Sequence, residues 1–208
     1  QDEGAQLVSL ALEPRAGETV LDACAGLGGK ATHLAALMAD RGRVVCVDVN
    51  PRKLELLDGH CRRLGVSSCE ARPGDLRERG LLAGLAADRV LVDAPCTGLG
   101  VLRRHPELKW RAGSGLEALP RLVQLQRELL EAALACLRPG GVLVYSVCTT
   151  TEEEGPEQLR WLCARFPGCR PRPFGAGQLE PDPDGMLRLW SHRHGTDGFY
   201  IARVGLLG

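Results

Sequence analysis

Four short apolar, β-branched runs, separated by stretches of helical period, constrain the fold of this 208-residue chain most strongly. They occupy residues 19–23 (TVLDA), 43–48 (RVVCVD), 88–94 (DRVLVDA) and 142–148 (VLVYSVC). The run at 88–94 is almost continuously apolar, as expected of a strand covered on both faces. Helical spacing predicts helices over 29–39, 51–64 and 116–137. Pro51 suits a first helical position and Gly65 the position after a last one. In the third helix Leu122, Leu125, Leu129, Leu130, Ala133, Leu134 and Leu137 keep one face apolar, and Pro139-Gly140-Gly141 is expected to break it. A weaker strand is expected at 69–72. Thr151-Glu152-Glu153-Glu154 reads as the capped start of a helix reaching about residue 166. The Pro- and Gly-rich stretch 167–185 reads as loop, and 186–190 with 198–204 as a closing antiparallel pair. Strands alternating with helices predict a doubly wound α/β sheet.

Ligands of such sheets bind beyond the carboxyl ends of the strands, so the residues there carry the chemistry. The first strand ends in Asp22-Ala23-Cys24-Ala25-Gly26-Leu27-Gly28-Gly29-Lys30. Its glycines permit a sharp turn and close backbone approach to a ligand, and Gly26 to Ala31 also satisfies the dinucleotide pattern GxGxxA. Asp48 ends the second strand 22 residues after Gly26. A carboxylate there accepts hydrogen bonds from a ribose diol, whether of NAD or of S-adenosylmethionine. Asp75 follows the third strand, where it can meet an adenine amino group, and Asp93 ends the fourth. Three acidic strand ends repel a pyrophosphate and suit a cationic ligand. S-adenosylmethionine carries a sulfonium and an ammonium group.

Cys96, in Asp93-Ala94-Pro95-Cys96, and Cys148, 52 residues later, leave their strands toward the same edge. A free cysteine is commonly a small buried hydrophobe, the reading for Cys46, Cys61, Cys69, Cys136 and Cys163; Cys169 stays open. The placement of Cys96 and Cys148 favours covalent chemistry. Carbon 5 of cytosine is a poor nucleophile until a thiolate adds at carbon 6. The reaction then needs a hydrogen bond or proton at ring nitrogen 3, for which Asp93 is a candidate. It also needs loss of the carbon 5 proton and release of the enzyme, for which the second thiol is a candidate. Spacing alone leaves the two cysteines interchangeable.

Lys plus Arg and Asp plus Glu number 26 each, so bulk charge advertises no nucleic acid. A local patch, Arg103, Arg104, His105, Lys109 and Arg111, follows Cys96 and can meet phosphates; Trp110 can stack on a base or anchor the loop. Phe199 and Tyr200 read as core. Nine cysteines without a CxxC pair form no disulfide framework and no zinc site. No signal peptide or membrane-length apolar run is present, and a cytoplasmic protein with reduced thiols is expected. No coiled-coil heptad appears, and a monomer is expected. The chain opens at Gln1 without an initiator Met, so it reads as a fragment of a longer protein.

These motifs together resemble the RNA cytosine-5 methyltransferases related to the bacterial Sun/RsmB ribosomal RNA enzymes and the eukaryotic Nop2/Sun proteins. The likeness runs from Gln1-Asp2-Glu3-Gly4-Ala5-Gln6 through the glycine turn, Asp93-Ala94-Pro95-Cys96, residues 97–110 (TGLGVLRRHPELKW), Gln124-Leu125-Gln126 and Pro139-Gly140-Gly141. It continues through residues 145–149 and 194–200 (HGTDGFY). The Arg-Arg-His-Pro segment is most similar to the bacterial branch. The resemblance implies a class I S-adenosylmethionine-dependent methyltransferase fold, Rossmann-like, with a mostly parallel seven-stranded sheet over residues 1–208. The amino-terminal RNA-binding domain usual in bacterial relatives is not expected within residues 1–208. It implies Cys148 as nucleophile and Cys96 as helper in proton removal or release. Cys24, Ala25, Gly26, Leu27, Gly28, Gly29, Lys30, Asp48, Asp75 and Asp93 would line the S-adenosylmethionine site. RNA is the implied partner, 16S ribosomal RNA before transfer RNA, with no metal. Leu27 stands where relatives often have Pro, and Val147 where Thr is commoner. The alternatives from other classes are a nicotinamide oxidoreductase, from GxGxxA plus Asp48, and a cofactor-binding module without turnover.

Overall fold

The computed structural model describes residues 1–207 apart from 79, 111–114, 176–178, 180 and 182–183. In chain order the elements are α1 (Glu3–Leu12), β1 (Thr19–Asp22), α2 (Gly29–Leu37), β2 (Arg43–Asp48), α3 (Pro51–Leu64), β3 (Cys69–Pro73) and β4 (Ala87–Asp93). There follow α4 (Leu119–Ala135), β5 (Leu137–Val147), α5 (Pro156–Arg165), β6 (Cys169–Pro171), β7 (Met186–Leu189), α6 (Ser191–His194) and β8 (Phe199–Leu206). The sheet order is β3-β2-β1-β4-β5-β8-β6, with β7 paired to β8. The first five strands are parallel; β8 runs antiparallel to β5, β6 and β7.

Side chains alternate across the pleat, so each central strand feeds two cores. Leu21, Val45, Val90 and Leu143 point to one face, where Leu130 and Ala133 of α4 and Leu162 of α5 cover them. Val20, Val44, Leu91 and Val144 point to the other, under Leu12 of α1, Leu34 of α2 and Leu57 of α3. Helices on both faces of a mostly parallel sheet make the expected doubly wound, Rossmann-like fold. The order reverses at β1, between β2 and β4, and the crevice opens there.

The expected α3 has the predicted bounds: Asn50 caps it by accepting from Arg52 N–H, and Gly65 ends it at φ 70°. Four expectations need correction. The long helix ends at Ala135, and Leu137 belongs to the next strand. Pro139-Gly140-Gly141 does not precede that strand but lies within it, where the β4–β5 register shifts between Ala87 and Arg89. Gly141 is required there, since a Cβ would stand 2.9 Å from the Asp88 carbonyl oxygen. Thr151 to Glu154 does not cap α5, whose N-cap is Gly155. The stretch read as loop contains β6, giving eight strands among the described residues rather than seven. The helix α1, capped by Asp2 accepting from Gly4 N–H (2.9 Å), was not expected. Among the described residues no helix is long and apolar enough to cross a membrane.

Candidate active site

The glycine turn joins β1 to α2 at the crevice. Ala25 N–H donates to the Val47 carbonyl, which ties the turn to β2. Gly26 and Gly28 take φ 55° and 83°, the left-handed region open to glycine. A Cβ on Gly28 would stand 2.5 Å from Leu57, whereas one on Gly26 meets nothing within 4 Å. The first glycine therefore leaves ligand space, and the second lets α3 close on the turn. Leu27 is half exposed and Val147 fully buried.

Asp48 accepts from Gly26 N–H (2.9 Å) and from Asn50 N–H (2.8 Å), so backbone groups hold its carboxylate toward the crevice. A cavity of about 200 Å³ lies beside it, bordered by Cys24, Asp48, Asp75, Pro95, Leu125 and Leu129. Asp75 reaches this cavity with its carboxylate gripped by Arg77, whose Nη2 lies 2.6 Å away and holds the acid below the usual carboxylate range. Asp93 accepts from Lys30 Nζ (2.5 Å) and from Ser146 Oγ (2.7 Å). Burial opposes the Lys30 charge, but the Asp93 carboxylate outweighs it and lifts the ammonium pKa above the ordinary lysine value.

One acidic residue escaped the sequence reading of the site. Asp22 ends β1 fully buried, and neither carboxylate oxygen has a well-formed hydrogen bond; the Cys24 N–H faces it without making one. Burial, and next the charge of Asp93, push its pKa up to about 7. The available signal was its place: Asp22 ends a strand, like Asp48 and Asp93, immediately before the glycine turn.

Strand register brings the thiols together. Asp93 pairs with Ser146 across adjacent parallel strands, and Cys96 and Cys148 follow three and two residues later, just beyond the strand ends. The Cys96 and Cys148 sulfurs lie 3.3 Å apart, both half-buried. The hydrogen bond to Cys148, and then burial, push the Cys96 thiol well above its usual range. Either sulfur can be the donor across this contact. Lys30 and Arg104 lie within electrostatic reach of Cys148. The raised Cys96 thiol and the cations near Cys148 are invisible in the spacing.

The segment after Cys96 folds back over Cys148. Gly100 N–H donates to the Cys148 carbonyl (3.0 Å), and Gly198 N–H donates to the Gly100 carbonyl (2.8 Å). Arg104 donates through Nε (2.8 Å) and Nη2 (2.5 Å) to Asp197, a fully buried carboxylate. Arg103 lies 3.4 Å from Asp2 and His105 3.1 Å from Glu107. Three of the five proposed phosphate contacts thus already hold internal carboxylates, although the side chains stay about half exposed. Lys109 and Trp110 are exposed, Trp110 at 88%. Arg111 lies outside the described residues. Phe199 and Tyr200 are buried, as is Cys169. Among the described residues no group of three His, Cys, Asp or Glu side chains is arranged to hold a metal.

Residues 9–205 match the family model described as 16S rRNA methyltransferase RsmB/F. A Synechocystis protein named "Probable ribosomal RNA small subunit methyltransferase B" is 38% identical over 209 residues, covering 98% of this chain and 46% of that protein. The ribosomal RNA small subunit methyltransferase B of an Enterobacter species is 38% identical over 205 residues, with the same coverage of 98% and 46%. The crystal structure of NSun6 from Pyrococcus horikoshii with SFG superposes with a TM-score of 0.89 at 31% identity, covering all of this chain and 53% of that one. The chain thus spans about half the length of the curated relatives it matches. With the family model matching nearly its whole length and the glycine turn, acidic strand ends and paired thiols in one crevice, this chain belongs to the RsmB/F family of 16S rRNA methyltransferases.

Proposed function

We propose that this chain is the catalytic domain, over residues 1–208, of an RNA cytosine-5 methyltransferase acting on 16S ribosomal RNA. The observation that carries the reading is the pair of sulfurs 3.3 Å apart, at the strand ends beside an acidic cavity. Two ordinary core cysteines have no reason to meet at a ligand crevice.

The residues fit S-adenosylmethionine. The open space over Gly26, the Asp48 carboxylate fixed by backbone N–H groups and the unpartnered Asp22 carboxylate suit a ribose diol and a cationic group. The same carboxylates oppose a pyrophosphate, which argues against a nicotinamide dinucleotide. The turn from Cys24 to Lys30, with Asp48, Asp75 and Asp93, would hold the cofactor. When bound, S-adenosylmethionine supplies an electrophilic methyl group.

The chain's own residues do the rest. Cys148 Sγ adds to carbon 6 of the cytosine, and the ring's electrons make carbon 5 nucleophilic. Asp93, pinned by Lys30 and Ser146, would accept from the amino group of the base and, when it carries a proton, donate to ring nitrogen 3. After carbon 5 is substituted, its proton passes to water, and Cys148 must depart. Cys96 retains its proton and donates it toward the Cys148 sulfur, which makes that sulfur a better leaving group. The target base must be unpaired or extruded for this approach. Lys109 and Trp110, exposed on the overhanging segment, are proposed to meet RNA there.

Labelled methyl transfer by the intact protein tests this reading. Label in bisulfite-resistant cytosine of 16S ribosomal RNA is expected. Label confined to transfer RNA would replace the substrate, and no cytosine label in any RNA would overturn the function.

A further inference from the structure

We propose that Glu154 is a positioning residue that holds the Cys96 and Cys148 loops at their working separation; the inference rests on reading those thiols as the acting pair. Glu154 is fully buried and has four uncharged partners. One oxygen accepts from Thr97 N–H (2.9 Å) and Gln126 Nε2 (2.9 Å). The other accepts from Thr97 Oγ1 (2.5 Å) and Thr151 Oγ1 (3.0 Å). Gln126 Nε2 also donates to the Pro95 carbonyl (2.9 Å), and Tyr145 OH donates to the Glu154 carbonyl (2.7 Å). Packing alone does not call for a carboxylate here, because burying one is costly and an apolar side chain fills space without that cost.

The directions of these bonds explain the choice. Four donors use the full capacity of two carboxylate oxygens. Thr97 has one hydroxyl proton and gives it to Glu154. Its contact with Thr149 Oγ1 (2.9 Å) therefore requires Thr149 to be the donor. Thr97 adjoins Cys96, and Thr149 adjoins Cys148. A single buried acid thus orders a chain, Glu154 to Thr97 to Thr149, that fixes both thiol-bearing turns. Thr97 and Thr149 are themselves buried, so water does not replace these bonds.

The test reads thiol proximity without RNA. Diamide oxidises two neighbouring thiols to a disulfide, taking up both hydrogens, and peptide mapping quantifies the Cys96–Cys148 linkage in the intact protein. Well below the unfolding temperature, Glu154→Ala should slow this linkage about tenfold, since loosening the turns lowers the effective concentration of one thiol at the other. S-adenosylhomocysteine affinity should stay within about twofold, because Glu154 borders no part of the cofactor cavity. Glu154→Gln should recover most of the rate, its amide hydrogens facing threonine hydroxyls that can turn to accept. If Glu154→Ala fails to fold, Thr149→Val cuts only the hydroxyl link and should slow the disulfide several-fold. Oxidation at the wild-type rate in folded Glu154→Ala, or in Thr149→Val, would overturn the proposal. The assay passes or fails whether or not the wild-type protein methylates cytosine, so the two readings fail separately.

Discussion

Replacing Asp22 by Asn should make the ligand-free protein more stable and less sensitive to pH. The carboxyl is fully buried and its pKa rises from the ordinary 3.8 to about 7, chiefly through burial and secondly through Asp93. In that interval the folded state binds a proton that the unfolded state has released, so wild-type stability falls as pH rises from about 4 toward 7. At about 1.4 kcal/mol per pH unit the total cost above neutrality is about 4 kcal/mol. Between about pH 5 and about pH 8 the wild type should lose about 3 kcal/mol that the Asn variant does not. The difference between the two proteins isolates Asp22 from other titrating groups. Chemical denaturation of both at each pH measures it. The same variant should bind S-adenosylhomocysteine about tenfold more weakly, about 1.4 kcal/mol, if the carboxylate faces a cationic group of the ligand. A stability difference that does not change with pH would refute the argument that Asp22 is an acid kept without a partner for a ligand.

Three further substitutions probe the surroundings. Gly100→Ala places a Cβ 2.1 Å from the Gly198 carbonyl oxygen and 2.9 Å from that of Cys148; equilibrium unfolding should show a loss of about 2 kcal/mol or more, and turnover should fall with it. Arg104→Ala removes both hydrogen bonds that Oδ2 of the buried Asp197 accepts and should cost about 1–2 kcal/mol, discounted for the half-exposed guanidinium. A role confined to RNA phosphates would instead leave the unfolding midpoint unchanged and flatten only the salt dependence of RNA binding. Cys96→Ala should extend the lifetime of the covalent RNA complex about a hundredfold, followed by gel shift under denaturing conditions; an unchanged lifetime would remove Cys96 from the release step.

Sequence periodicity was enough for the parallel half of the sheet because β1, β2, β4 and β5 are buried on both faces, and α3 carries its own start and stop signals. Register then brings Cys96 beside Cys148 and Asp93 beside Ser146 at the carboxyl ends of β4 and β5. What stayed hidden depended on tertiary contacts. Pro139 and Gly140 look like breakers, yet a bulge absorbs them inside β5. Thr151 to Glu154 has the letters of a capping box, but Glu154 turns inward to Thr97, more than 50 residues away in sequence. Arg103 and Arg104 look like a solvated basic patch until Asp2 and Asp197, from opposite ends of the chain, meet them. The raised Cys96 thiol follows from a hydrogen bond between two loops and from burial, neither of which spacing encodes.

We propose Cys148 Sγ, with the Cys96 sulfur 3.3 Å away, as the atom that attacks the base. Mass spectrometry of the intact protein trapped on RNA containing 5-azacytidine locates the linked residue directly. The account predicts the nucleotide on Cys148 in the wild type and no linkage in Cys148→Ala. A nucleotide on Cys96, or a Cys148→Ala protein that still traps RNA and turns over, would contradict it.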